Sequence, residues 1–136
     1  MTAAATTIPG TGELGAELRP ELERVSMALE GRPPGRRRGG SPELDRLAAL
    51  FGLSEFERSI LVLCAGVEID PEIAAGCAEA AGAPSFGLAL SIFPEAHWSA
   101  LAPSAPLRCW RLVRLERPDG SPVTTPIRAE ERVLHL

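Results

Sequence analysis

The stretch SEFERSILVLCAGVEI (residues 54–69) is apolar over most of its length and carries charges only near its two ends. Ser54 followed by Glu57 three residues later is the signature of a capping box, so a helix is predicted to begin there. The interior, SILVLCAGV, is apolar on nearly every side, which is typical of a helix that other elements surround. We therefore predict a central buried helix with Leu61 and Leu63 in the core.

Further helices are predicted on both sides of this stretch. Residues 41–52 begin with Ser-Pro-Glu and residues 70–82 with Asp-Pro-Glu, each a polar cap, a proline at the first helical position and an acid. Each segment ends on a glycine, a common helix stop. The apolar run FGLALSIF, within residues 84–94 and bounded by prolines, predicts a short fourth helix. The turn that follows is expected to bring Trp98 inward.

The N-terminal third has three predicted parts. Residues 1–12 are small and polar, and we expect a disordered tail. Leucine and valine recur every three or four positions in residues 13–30, which predicts one N-terminal amphipathic helix. Residues 31–41, rich in glycine, proline and arginine, predict a flexible linker. The main domain is then expected to span residues 42–136.

The C-terminal part predicts a β-hairpin. Residues 109–115, CWRLVRL, favour a strand, residues 117–121, RPDGS, favour a turn, and residues 123–125 favour the returning strand. Residues 130–136 look like the start of a helix, and we expect the native protein to continue beyond them. The predicted fold class is mainly helical α+β: a winged-helix-like domain of three to four short helices with a hairpin wing at 107–125, preceded by the extra helix and the linker.

The composition gives no support for catalysis. All 14 basic residues are arginine, so the lysine of a phosphate-binding loop is absent. The metalloprotease, nucleophile-elbow and C-x-x-C patterns are also missing, and the two histidines are far apart in sequence. The odd count of three widely spaced cysteines predicts buried, reduced thiols in a cytoplasmic protein. We therefore predict a chain that is not an enzyme, with no cofactor or metal of its own and no membrane segment.

Four arginines recur every three residues in the predicted wing: Arg108, Arg111, Arg114 and Arg117. On a strand, Arg108 and Arg114 would share one face, and Arg111 and Arg117 would share the other. One pair would lie over the acidic helices through its aliphatic stems, and the other would present charge to a partner. These four are our candidate partner-binding residues.

The charge distribution does not favour nucleic acid as that partner. Residues 42–105 carry two arginines and nine acids, a net charge of −7, and residues 106–136 carry +2. The helix predicted at residues 84–93, in the recognition-helix position, has no charged residue. Duplex binding typically uses about six to ten phosphate contacts. A short apolar helix in an acidic surround is better suited to packing against protein.

Several motifs resemble one bacterial family. They occur in the family's order across residues 44–136: FGLS-x-FER, LC-x-x-VE-x-D, FGLAL, HWSAL and ERVLH. In these motifs the chain resembles the variant winged-helix domain that precedes the ATPase module of a class of AAA+ ATPases, including those of extracellular contractile injection systems. Residues 1–43 carry no such resemblance.

The resemblance implies a non-catalytic domain that recognises or docks a protein partner, a substrate or neighbouring ATPase subunits. ATP and Mg²⁺ would belong to a motor module beyond Leu136, with residues 130–135 as the connector. The alternative is a nucleic-acid-binding winged helix that uses the wing arginines.

Overall fold

The computed structural model describes residues 18–32 and 41–134 and folds them mostly into helices. The elements in chain order are helices α1 (Arg19–Leu29), α2 (Pro42–Phe51), α3 (Glu55–Ile69), α4 (Pro71–Ala81) and α5 (Phe86–Ile92), a 3-10 helix (Trp98–Leu101), α6 (Pro106–Cys109), strands β1 (Val113–Leu115) and β2 (Ile127–Ala129), and α7 (Glu131–Leu134). The strands form a two-stranded antiparallel sheet. This confirms the predicted fold class. The predicted tail and residues 33–40 of the predicted linker lie outside the described residues.

The predicted helix starts are confirmed by their hydrogen bonds. The Ser54 hydroxyl accepts from the backbone N–H of Glu57, and the Glu57 carboxylate accepts from the N–H of Ser54. Ser41 caps α2 and Asp70 caps α4 through their side-chain oxygens. Gly52 ends α2 at φ 69°, a left-handed conformation that glycine adopts without steric cost. Caps of this kind satisfy backbone N–H groups that the helix itself leaves unpaired.

Helix α3 is the centre of the core, as predicted. Leu61 and Leu63 are buried, and α1, α4 and β2 all pack against this helix. A Cβ atom on Gly66 would lie 3.0 Å from the side chains of Leu22 on α1 and Ile73 on α4. Glycine therefore lets these helices approach closely at that point. Helix α1 contributes to the same core as the rest of the domain.

A buried ion-pair network joins the first three helices. The guanidinium of Arg58 on α3 lies 2.6 Å from Glu21 Oε2 on α1 and 2.6 Å from Asp45 Oδ1 on α2. Burial lowers the pKa of Arg58, but the hydrogen bonds to Glu21 and Asp45 outweigh it and raise that pKa above its ordinary value. Arg58 thus remains charged beside the core. No local pattern in the sequence indicates this network.

The hairpin lies further along the chain than predicted. The first strand begins only at Val113, and the predicted returning strand at 123–125 is wrong, since β2 spans Ile127–Ala129. Val123 and Thr125 use their backbone groups elsewhere: Val123 O accepts from Gly87 N, and Thr125 N donates to Ser121 O. They are therefore unavailable for a strand ladder.

The predicted turn before β2 is present, but its glycine is needed for a different reason. Gly120 N donates to Arg117 O at 2.9 Å, which closes the turn. Gly120 does not have a positive φ. Instead, a Cβ atom there would lie 2.4 Å from the Thr125 hydroxyl oxygen, so the fold needs glycine for space.

Two predictions before the hairpin are also wrong. Residues 106–109 form helix α6 rather than the start of the wing, because Pro106 occupies a first-turn position and Cys109 N donates back to Ala105 O. Trp98 is exposed rather than buried, because the 3-10 helix buries Ala100 and Leu101 instead.

Leu61→Ala is expected to lower the free energy of unfolding by about 2–5 kcal/mol, because it removes buried methyl groups and leaves a cavity. Leu50 on α2 is 74% exposed, so Leu50→Ala is the matched control and should change that free energy by less than about 0.5 kcal/mol. Urea unfolding followed by circular dichroism measures both. A loss below about 1 kcal/mol for Leu61→Ala would contradict the central position of α3.

Glu21→Gln is expected to cost about 3 kcal/mol or more of unfolding free energy, because it removes the buried carboxylate that neutralises Arg58. Asp45→Asn is the control. The Asp45 side chain is 54% exposed, so water replaces part of its interaction and the expected cost is about 1 kcal/mol or less. Equal costs in urea unfolding would show that Glu21 has no special role.

Candidate partner-binding surface

The four candidate arginines lie on different local structures. Arg108 belongs to helix α6, Arg111 follows that helix, Arg114 lies on β1, and Arg117 lies in the turn between the strands. The predicted division into two strand faces is wrong, because only Arg114 is on a strand. Each arginine therefore has its own surroundings.

The arginines of the sheet are paired with acids of the same domain. Arg114 lies opposite Arg128 in the strand register, an arrangement in which like charges repel. Arg114 Nε lies 3.3 Å from a carboxylate oxygen of Glu130, and Arg128 donates to Glu68 at 2.9 Å. The hydrogen bond to Glu68 raises the pKa of Arg128. These acids offset the positive charge on the outer face of the sheet.

Helix α6 ends in a Schellman motif. Leu112 N donates to Leu107 O at 2.9 Å, and Arg111 N donates to Arg108 O at 3.2 Å. Leu107 and Leu112 are both buried, which supplies the apolar contact that accompanies the motif. Arg111 has φ 54°, in the position where glycine is usual. Its side chain is left exposed at the surface.

Three arginines belong to this turn or bind its carbonyl oxygens. Arg132 on α7 donates to the carbonyl oxygens of Trp110 and Arg111, and Arg108 donates to Leu101 O at 2.7 Å. Arg111 is the third. Among the described residues, no carboxylate lies within 4.0 Å of any of these three groups. Their charge is therefore directed to carbonyl oxygens and solvent.

Large apolar side chains are exposed at this turn and at the end of α2, which contacts it through Phe51. Leu50 is 74% and Trp110 is 52% exposed, and the Phe51 ring lies 5.6 Å from the Trp110 ring. A second tryptophan, Trp98, is 68% exposed. We define the Trp110 surface by six residues: Leu50, Phe51, Arg108, Trp110, Arg111 and Arg132.

This surface does not follow from the sequence pattern, which predicts Trp110 on a strand. The signal that could have found it is RCWR at 108–111, a tryptophan flanked by arginines just after two prolines.

Helix α5, in the position of a recognition helix, is largely buried. Phe86, Leu88 and Ala89 face the core, and none of the seven residues of α5 is charged. Gly87 N donates to Val123 O at 2.9 Å, and a Cβ atom on Gly87 would lie 2.9 Å from the same oxygen. The loop between the strands therefore covers the start of α5.

Comparison with protein families gives a match to the family described as "Winged helix domain, variant" over residues 4–136. The chain belongs to this family. The match extends N-terminally beyond the motifs at 44–136 and includes helix α1. In the winged helix domain, α5 precedes the hairpin, and the wing is formed by β1, β2 and the loop between them. Comparisons with curated proteins and with solved structures gave no match.

The cysteines of the winged helix domain are all unbonded, and two are inside it. Burial raises the pKa of the thiols of Cys64 and Cys77, so both remain protonated and poorly nucleophilic. Cys109 is exposed, which corrects the prediction that all three are buried. The reason is that α6 turns only Leu107 fully into the core.

Ser54 and His97 form a contact that resembles a nucleophile and its base. The Ser54 hydroxyl lies 2.8 Å from His97 Nε2, and His97 Nδ1 lies 2.7 Å from the Ser99 hydroxyl. The same Ser54 oxygen accepts from the backbone of Glu57 as the cap of α3. His97 also packs on the Phe56 ring at 5.3 Å. The pair thus connects the start of α3 to the segment before the 3-10 helix.

Two other kinds of feature are not found in residues 18–32 and 41–134. No group of three or more histidine, cysteine, aspartate or glutamate side chains there is arranged to hold a metal ion. No helix in these ranges combines the length and the apolar character that crossing a bilayer requires.

Arg111→Gly is expected to raise the free energy of unfolding by about 0.5–1 kcal/mol, because glycine has no steric penalty at a left-handed position. Arg117→Gly is the control: its φ is not positive, so extra freedom of the unfolded chain should lower stability slightly. Thermal and urea unfolding compare the two. A loss of stability in Arg111→Gly would contradict the assigned backbone conformation.

Proposed function

We propose that this winged helix domain is a non-catalytic docking domain that binds protein, within an AAA+ ATPase whose motor lies beyond Leu136. The observation that carries the docking role is the exposure of large apolar side chains at Leu50, Trp98 and Trp110. Tryptophan and arginine are enriched among the residues that contribute most to protein–protein binding. A domain that leaves both at its surface is suited to hold a partner.

Nucleic acid is the second candidate, and it has one specific observation in its favour. Arg111 and Arg117 are exposed and have no carboxylate within 4.0 Å among the described residues. Against it, α5 offers no charged side chain to base edges, and Arg114 is paired with Glu130. The remaining wing arginines fall short of the roughly six to ten phosphate contacts that duplex binding uses. Protein is therefore the favoured partner.

The ATPase context rests on the resemblance across residues 44–136. This chain has no lysine, so its residues do not fit the phosphate-binding loop of such a motor. ATP and Mg²⁺ would be held entirely by the motor module, with α7 as the start of the connector. The proposed setting is the bacterial cytoplasm, with a contractile injection system as one associated assembly.

Sequencing the native gene past the codon for Leu136 tests this context. We expect an open reading frame that encodes a phosphate-binding loop with its lysine, followed by the acidic residues that hold Mg²⁺. A stop codon at that point would contradict the ATPase context and leave a free-standing adaptor.

Fluorescence anisotropy with labelled duplex DNA separates the two candidate partners. We expect no binding at about 50 mM salt, because Arg111 and Arg117 supply far fewer than the roughly six to ten phosphate contacts that duplex binding uses. The double variant Arg111→Glu/Arg114→Glu is the control for any signal. Binding that weakens steeply with salt and disappears in the double variant would favour the nucleic-acid function instead.

Affinity capture from the native host tests protein docking directly. The immobilised domain is expected to retain one or two specific proteins above a bead-only background. Failure to retain any protein would contradict the docking function.

A further inference from the structure

We propose that the Trp110 surface binds an acidic amphipathic segment of a partner protein, in which an apolar anchor residue is flanked by carboxylates. This inference rests on the proposed docking function and names its site and the chemistry of its partner. It follows from two features of the turn after α6. One is the exposed Trp110 ring, which contacts Phe51, and the other is a set of three arginines that belong to this turn or bind it and have no nearby carboxylate among the described residues.

The apolar half of the surface is held in place before any partner arrives. The Trp110 ring is 52% exposed and is supported from below by Phe51, whose ring lies 5.6 Å away at an interplanar angle of 45°. The backbone under Trp110 is fixed by the Schellman motif and by the hydrogen bond from Arg132. Leu50, which precedes Phe51 on α2, is 74% exposed. A rigid aromatic platform loses little conformational entropy when it binds an apolar side chain.

The charged half explains why the partner should be acidic. Several arginines elsewhere in the domain are matched with acids, such as Arg58 with Glu21 and Arg114 with Glu130, although Arg117 in the turn between the strands is not, among the described residues. At the Trp110 surface, Arg108, Arg111 and Arg132 have no carboxylate within 4.0 Å among the described residues, although the whole chain carries a net charge of −4.

The backbone around the turn fixes the position of Arg132 and leaves Arg111 exposed. Arg132 is held by the carbonyls of Trp110 and Arg111, and the left-handed backbone of Arg111 leaves its side chain exposed. Guanidinium groups match the two oxygens of a carboxylate in geometry and charge. Carboxylates of a partner would therefore neutralise the positive charge of these arginines.

The other chemistries fit this surface less well. A basic segment would be repelled by three guanidinium groups. A phosphodiester backbone would satisfy the charge but would leave Leu50 without an apolar contact.

Short fluorescein-labelled peptides test the proposal by anisotropy with the intact chain. The first alternates leucine and phenylalanine with glutamate, the second has lysine in place of each glutamate, and the third keeps the glutamates but replaces the apolar residues with serine. We expect the first peptide to bind at least about tenfold more tightly than the other two, because only it satisfies both halves of the surface. Equal binding of the first two would overturn the proposal.

Matched variants locate the binding. Trp110→Ala and Arg111→Glu are each expected to weaken the first peptide at least about tenfold. Arg32→Glu makes the same charge reversal at an exposed position just after α1, where Arg32 pairs with Glu30, and should leave its affinity unchanged. Circular dichroism confirms that each variant is folded. Loss of binding in Arg32→Glu would overturn the proposed site. Unchanged binding in both Trp110→Ala and Arg111→Glu would overturn it as well.

The same variants separate this inference from the docking function. A host protein captured by the wild-type domain is one test. If Trp110→Ala and Arg111→Glu capture it equally well, the Trp110 surface is not the binding site, but the docking function is retained. If the wild-type domain captures no host protein, the docking function fails as well. If duplex DNA binds and is lost in these two variants, the surface is a nucleic-acid site and the acidic-peptide proposal is overturned.

Discussion

The whole domain depends on enclosing helix α3. Its residues from Ile60 to Gly66 are all apolar and buried, so water must be excluded around the full circumference rather than along one stripe. Helices α1 and α4 and strand β2 supply that cover. Gly66 permits the closest approach, because no side chain separates α3 from Leu22 and Ile73 there. The short helices and the small sheet are arranged around this one requirement.

Enclosing α3 also imposes an electrostatic condition. Arg58 lies in the first turns of α3 and is buried there. Glu21 on α1 and Asp45 on α2 neutralise its charge. Because a buried charge without a partner is costly, the ion pairs also specify how α1 and α2 sit on α3. This is a directional constraint that apolar packing by itself does not provide.

Pairing of arginines with acids also occurs on the outer surface of the sheet. The acidic middle of the chain supplies Glu68 to the sheet arginine Arg128, while Glu130 pairs with Arg114. A winged helix normally meets DNA through its recognition helix and its wing. Here the helix in that position is buried and uncharged, and the loop of the wing rests on its first turn. The Trp110 surface, by contrast, is accessible, and its three arginines have no carboxylate within 4.0 Å among the described residues.

Local signals in the sequence determined the helices and the winged-helix outline. Capping residues, prolines at helix starts and glycines at helix ends act over three or four neighbouring residues, so they can be read without knowing the fold. The apolar run of α3 likewise identified Leu61 and Leu63 as core. In the short segment before β1, local preference did not predict the structure. Cys109 to Arg111 carry strand-forming residues, yet a proline-initiated helix and its Schellman motif override that preference.

The tertiary structure alone decided the strand register, the burial of each tryptophan and the site. Val123 could not be excluded from the sheet until its carbonyl was seen to accept from Gly87, thirty-six positions earlier in the chain. Trp98 and Trp110 are both exposed, while Ala100 and Leu107, close to them in sequence, are fully buried. Which arginine finds an acid depends on contacts between residues as distant as Glu68 and Arg128. Such pairings are properties of packing in three dimensions, and a linear pattern of charges does not contain them.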